Sequence, residues 1–225
     1  LLPNAELHEV WKRGEYHPYD EADLLDLIQA CKQMVPRYCR INRVYRDIPG
    51  NNVVDGCRMT NMRQVIQDRM KAEGSRCACI RCREIRRDAA TGSELLENEL
   101  VYETATSTEH FLSFDTPDDQ LAGYLRLSLP VEPGKGLGIG ALDGAAIVRE
   151  VHVYGRAQEL GARDHDRAQH RGLGTRLMKR AEALAAEAGY DRLSVIASIG
   201  TREWYAARGY QLADTYMTRS LPAED

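Results

Sequence analysis

The chain has 225 residues, 43% hydrophobic and 28% charged. That mixture excludes a disordered or fibrous protein and suffices for one large domain or two small ones. The formal net charge of −4 argues against a general nucleic-acid binder, and no apolar run approaches the roughly 20 residues of a membrane helix, so no membrane partner is expected.

The average charge conceals a split. Residues 31–90 hold fourteen Lys and Arg against six Asp and Glu, whereas residues 91–120 hold eight acidic residues and no Lys or Arg. Such asymmetry is expected of two surfaces with different partners, or of two solvated faces that offset one another. The opening Leu1-Leu2-Pro3-Asn4-Ala5-Glu6 carries no Met and lacks the build of a signal peptide, so the chain is expected to begin partway through a longer protein. Six cysteines are too few for a secreted disulfide scaffold, and a cytoplasmic location is expected.

In chain order, Asp20 caps an expected helix with an apolar stripe of Leu24, Leu27, Ile28, Cys31 and Met34, stopped by Pro36. Residues 40–46 read as a strand before a Pro49-Gly50 turn. A second helix is expected from Thr60 to Gly74 on the stripe Met62, Val65, Ile66, Arg69 and Met70. After residue 91 the period changes to two. Strands are expected over 98–105, 109–114 and 121–129, the last half-buried, with a turn at residues 116–119. A Gly-rich stretch from Pro133 to Gly140 precedes a strand over 145–153. A helix over 172–188 follows, with Leu173, Leu177, Ala181, Leu184 and Ala188 on one face and Gly189 as its stop. A strand over 193–197, a helix through Trp204 and Tyr205, and a strand over 210–217 complete the pattern. A domain boundary is placed near Ala90.

Gln169-His170-Arg171-Gly172-Leu173-Gly174 stands between a strand and the long helix. Glycines there let a ligand approach the backbone, and the free N–H groups of a helix start attract an anion such as a pyrophosphate. Q-x-x-G-x-G before a helix, followed by a strand and a helix bearing Tyr205, resembles the acetyl-CoA site of GNAT acetyltransferases. Arg149 to Gly155, the 169–174 loop, Thr201 to Tyr210 and Tyr216-Met217 are together similar to the family of Elongator catalytic subunits. Upstream, Trp11-Lys12, Val44 to Pro49 and Asn61-Met62-Arg63 resemble the end of that family's radical-SAM half.

The resemblance implies an α/β GNAT domain with a mixed sheet over residues 91–225. A mainly helical remnant of a radical-SAM barrel and a metal-binding linker would occupy residues 1–90. It implies an acyltransferase acting on tRNA, in an enzyme that places a carboxymethyl group on carbon 5 of the wobble uridine. Its partners would be acetyl-CoA, tRNA, and other Elongator subunits or a second copy. S-adenosylmethionine and a 4Fe-4S cluster are implied for the full-length protein but not for this chain, which lacks the upstream cysteine motif and is not expected to complete the modification.

The resemblance puts Glu150, Val151, His152, Val153, Gln169, Arg171, Gly172, Leu173, Gly174, Thr175 and Tyr205 around acetyl-CoA. Backbone groups near Val151 and Val153 would meet the acetyl carbonyl and pantetheine, one N–H facing the developing oxyanion. Glu150 is either a general base, if burial raises its pKa toward neutrality, or the partner of a nearby Arg. His152 reads first as a structural imidazole and Trp204 as core. Tyr205 either protonates the departing thiolate, uphill by about 2 kcal/mol for ordinary pKa values, or positions the sulfur; Tyr216 is a second candidate.

Cys77, Cys79 and Cys82 form a C-x-C-x₂-C cluster suited to zinc. Cys57 is the first choice of fourth ligand, with Cys39, Cys31 or a histidine behind it; three free thiols are the alternative. The surrounding arginines, with Arg37, Arg40, Arg43, Arg46, Arg58, Arg63, Arg69 and Lys71, offer phosphate contacts to tRNA. The acidic stretch from Glu94 to Asp119 instead suits a lysine-rich peptide. Two alternatives therefore accompany the tRNA reading: a protein lysine acetyltransferase and a non-catalytic tRNA-binding module.

Overall fold

The carboxylate of Asp20 accepts a hydrogen bond from the Asp23 N–H at 2.8 Å, the capping bond that starts a helix. In the computed structural model, which describes residues 1–44, 48–85, 94–154 and 172–222, that helix is α2 (Glu21–Met34), after a short α1 (Glu6–Lys12). The chain divides into two units, Leu1–Arg83 and Glu84–Asp225. The boundary expected near Ala90 falls outside the described residues.

In the first unit, α2 and α3 (Met62–Ala72) bury an apolar cluster that includes Met62, Ile66, Met70, Cys57, Cys77 and Cys79, with Leu24, Leu25 and Ile28 packed against it. Of the stripe expected on α3, Met62, Ile66 and Met70 are buried, while Val65 and Arg69 are partly exposed. On α2 the expected stripe is displaced: Leu27, Cys31 and Met34 are exposed, Met34 by 82%, while Gln29 and Lys32 are buried. The face that turns inward carries polar side chains, which apolar periodicity does not select. The expected strand over 40–46 is likewise not formed in its described part, residues 40–44. The Arg63 guanidinium donates to the Ile41 and Asn42 carbonyls at 2.9 and 3.2 Å, taking the place of a pairing strand. A short α4 (Ile80–Arg83) ends the unit.

The second unit is a seven-stranded mixed sheet in the order β1-β2-β3-β4-β5-β7-β6. Its strands are β1 (Leu96–Glu103), β2 (Ser107–Asp115), β3 (Leu121–Pro130), β4 (Ala145–Val153), β5 (Arg192–Ile196), β6 (Gln211–Ala213) and β7 (Tyr216–Ser220). Neighbours run antiparallel except β4 and β5. Between those parallel strands runs α5 (Leu173–Glu187); its Leu173, Leu177, Met178, Ala181 and Leu184 share one core with Leu112, Phe114, Leu125, Leu127 and Leu193. Ala188, the last residue of the stripe expected on this helix, is its exposed C-cap.

Two expectations need correction here. β3 is not half-buried: it pairs with β2 and β4, and only Arg126 and Pro130 escape full burial. Residues 210–217 are not one strand, because Asp214, at φ 52°, turns the chain between β6 and β7, with Ala213 opposite Tyr216. The mixed α/β architecture expected from the sequence is the one observed.

Candidate functional site

The site begins with a defect in pairing. Arg126 of β3 stands opposite Glu150, but Leu127 stands opposite Val148, so Arg149 is an extra residue in β4, a bulge that bends the strand. β4 pairs with β5 only from Ala145 to Val148. Beyond that point β4 continues along β3 while its other edge has no strand partner among the described residues. The Tyr154 N–H donates to the Ala122 carbonyl at 2.8 Å; alternation along the strand then turns the backbone groups of Val151 and Val153 toward the open edge.

The N-terminus of α5 meets this edge. Gly172 caps it at φ 99°, a left-handed conformation that favours glycine. The first intrahelical bond runs from the Arg176 N–H to the Gly172 carbonyl at 2.8 Å, leaving the N–H groups of Leu173, Gly174 and Thr175 without helical partners. A Cβ on Gly174 would lie 3.6 Å from the Trp204 ring and 3.8 Å from the Val153 side chain. The helix start, the end of β4 and α6 (Arg202–Ala206) therefore converge.

Arg208 fastens that junction. Its guanidinium lies 3.6 Å from the centroid of the Trp204 ring and donates to Thr175 Oγ1 at 3.2 and 3.1 Å. Sequence reading did not select Arg208, because its role depends on a ring and a hydroxyl brought together only by folding. Leu173 is buried in the core. Gln169, His170 and Arg171 lie outside the described residues.

Tyr205 is buried, edge-on to Trp204 and Tyr210. Burial pushes its phenol pKa up, which keeps it protonated and makes it a weaker acid. The Tyr205 hydroxyl makes no hydrogen bond to a described residue. Tyr216 is partly buried on β7 opposite Ile196.

Glu150 is fully engaged. Tyr124 donates to Oε1 at 2.6 Å, Arg126 Nε to Oε2 at 2.8 Å, and His152 Nε2 lies 2.9 Å from Oε1. Burial alone would raise this carboxyl, but the Tyr124 hydroxyl and Arg126 guanidinium outweigh it and hold the pKa below the ordinary carboxylate range. The condition set for a general base, a pKa raised toward neutrality, is not met; the alternative, a partner for an arginine, describes the geometry. His152 stacks on Tyr124 and Tyr154.

The sulfur atoms of Cys77, Cys79 and Cys82 lie within 4.8 Å of one another. Cys82 is held far below the ordinary thiol range by S–H donors from Cys77 and Cys79, helped by Gln67 and Lys32 against its burial; Cys77 is pushed up in turn. A tetrahedral zinc with bonds of about 2.3 Å places its sulfurs about 3.8 Å apart, so the trio fits three corners of such a site. Cys57 is buried in the same apolar cluster but does not belong to the trio.

The two charged stretches are less available than their counts imply. Arg69 pairs with Asp26 and Glu73, Arg63 holds two backbone carbonyls, and Arg83 is buried against the Ala78 and Arg37 carbonyls. Arg43, Arg58, Lys71, Arg76 and Arg81 are exposed, while Arg46, Arg86 and Arg87 lie outside the described residues. On the acidic side, Glu97 pairs with Arg176, Glu99 with Arg180, and Glu109 with Arg149.

A splayed strand facing the glycine-capped start of a crossover helix defines an acyl-CoA-type site, and residues 79–210 match the acetyltransferase (GNAT) family. The chain belongs to that family. Residues 1–72 match the radical-SAM C-terminal domain. The chain is 39% identical to the tRNA uridine(34) acetyltransferase of Dehalococcoides mccartyi over 96% of its own length and 48% of the relative's. It is 38% identical to human Elongator complex protein 3 over 98% of its own length and 41% of the relative's. The solved structure of an N-terminally truncated archaeal Elp3 from Methanocaldococcus infernus superposes with a TM-score of 0.82 at 35% identity, covering 98% of this chain and 53% of that one. The chain thus spans about half the length of these relatives.

Proposed function

We propose that this chain is the acetyl-CoA-handling portion of an enzyme that modifies carbon 5 of the tRNA wobble uridine, with tRNA triggering thioester cleavage. The extent of the likeness carries this reading. It covers 98% of the chain, including the radical-SAM segment at 1–72, and so exceeds what an acetyltransferase domain alone requires. The named relatives supply tRNA uridine 34 as the substrate class. The lysine acetyltransferase alternative loses two supports: Glu150 is not a raised base, and Glu97, Glu99 and Glu109 are held by arginines of the same unit.

Acetyl-CoA brings an activated acetyl group, and each residue has a limited task. The N–H groups of Leu173, Gly174 and Thr175 would receive the pyrophosphate, with Gln169 and Arg171 shortly before them in the sequence. The open edge at Val151 and Val153 would bond the pantetheine and polarise the thioester carbonyl. Tyr205, kept protonated by burial, would donate a hydrogen bond to the departing sulfur. Glu150, with His152, holds the Tyr124–Arg126 face behind the reacting strand and takes no proton.

In the same reading Cys77, Cys79 and Cys82 hold zinc, which ties the helical segment together. Residues 1–90 then form the end of a radical-SAM domain with its metal-binding linker, and 91–225 the acetyltransferase domain. The iron–sulfur cluster and S-adenosylmethionine of a complete enzyme are assigned to no residue of this chain. Other Elongator subunits or a second copy, and a cytoplasmic setting, complete the proposal.

Binding of fluorescent tRNA by the 225-residue chain, titrated at several salt concentrations, tests the RNA part. Affinity should fall linearly with salt on a logarithmic scale, and Arg43→Ala and Lys71→Ala should each reduce that slope by about one. Salt-independent binding, or none, contradicts the tRNA reading.

A further inference from the structure

The inward face of α2 holds a charge that the apolar core does not explain. Lys32 is 1% exposed. Among the described residues its ammonium meets no carboxylate, and its polar contact is the Cys82 sulfur at 3.5 Å. Gln67 of α3 donates to the same sulfur at 3.3 Å. One turn before Lys32, Gln29 is also buried, but it has a carboxylate partner: its Nε2 donates to Glu73 at 2.6 Å, and Glu73 is shared with Arg69. A buried ammonium is stable only opposite a compensating negative charge, and the group opposite Lys32 is the thiol cluster.

We propose that Lys32 is the charge partner of a metal–thiolate centre formed by Cys77, Cys79 and Cys82, and that the fourth ligand of that centre is uncharged. The inference rests on the zinc reading above. A dication held by three thiolates carries one net negative charge, which a single ammonium cancels. A fourth thiolate would leave an uncompensated charge in a site where Cys77 and Cys79 are buried. Lys32 and Gln67 are positioning residues: from two different helices they reach the same sulfur, so α2, α3 and the 77–82 segment are joined at the centre rather than by apolar contact alone. Donors of this kind hold a ligand in place and are felt in metal affinity.

The experiment is zinc competition against a chromophoric chelator, with bound metal counted per chain, for the whole 225-residue protein and for Lys32→Met and Lys32→Arg. The expected result is one zinc per chain, bound about ten- to a hundredfold more weakly by Lys32→Met and largely restored by Lys32→Arg. Cobalt substitution of the unaltered chain gives an independent reading, because the intensity of the sulfur-to-cobalt absorption counts thiolates without any mutation; three are expected. An unaltered chain that binds no metal overturns the zinc reading and this inference together. A chain that binds zinc equally well with Lys32→Met, or whose cobalt spectrum shows four thiolates, overturns this inference alone.

Discussion

Two side chains in the sheet unit differ in what their contacts leave available. Tyr205 has a hydroxyl that bonds no described residue and a pKa pushed up by burial, which suits a hydrogen-bond donor to leaving sulfur. Tyr205→Phe should therefore slow CoA release by about a hundredfold, the low end of the range for acid–base groups, while leaving the midpoint of urea unfolding unchanged. An equal loss of stability would show that the hydroxyl serves the fold. Glu150 has no free role left: with a pKa held below its ordinary value, it stabilises the fold above the unfolded-state pKa of about 4.3, and that contribution is lost as pH falls through the lower folded value. Urea midpoints should separate Glu150→Gln from the unaltered chain at pH 7 and converge as the pH drops below about 4. A constant gap would place the effect in packing rather than charge.

At the scale of elements, the distance between β3 and β4 controls the open edge. Gly123 stands opposite Val153, and a Cβ there would lie 3.0 Å from the His152 carbonyl oxygen and 3.5 Å from Val153 Cα. The tightest of these contacts is with backbone, so the strand itself must give by a few tenths of an ångström. Gly123→Ala should cost about 1–3 kcal/mol of stability, as overpacking does, and weaken acetyl-CoA binding measured by calorimetry. Unchanged affinity would mean that residues 152–153 do not form the site.

Patterns that depend on apolar spacing alone were legible at this scale. With the Asp20 cap read from its side chain, they give Met62, Ile66 and Met70 on α3, the buried face of α5 and strands β1 to β5, but they also predict a strand over 40–46 whose described part, residues 40–44, is not one. The inward face of α2 was only partly legible: Leu24 and Ile28 pack against the core as expected, but Gln29 and Lys32 are polar residues whose partners come from elsewhere in the chain. The β6–β7 turn was missed because the left-handed residue is Asp214 rather than glycine. β3 read as half-buried because Tyr124 and Arg126 look solvent-facing until Glu150 satisfies both.

For the whole molecule, the sequence grouped Cys77, Cys79 and Cys82 by spacing, and folding brings their sulfurs within 4.8 Å of one another. Net charges of segments were a poor guide: Arg63, Arg69 and Arg83 spend their donors inside the first unit, and α5 takes up two carboxylates of β1. What survives is a GNAT unit and a helical unit whose combined span is shared with tRNA uridine(34) acetyltransferases. The most direct measurement is the fate of a labelled acetyl group when the chain is given acetyl-CoA, with tRNA or with a lysine-rich peptide. The account predicts CoA release stimulated by tRNA, with no acetyl-lysine formed. Acetyl-lysine on the peptide, produced at the same rate with or without tRNA, would contradict it.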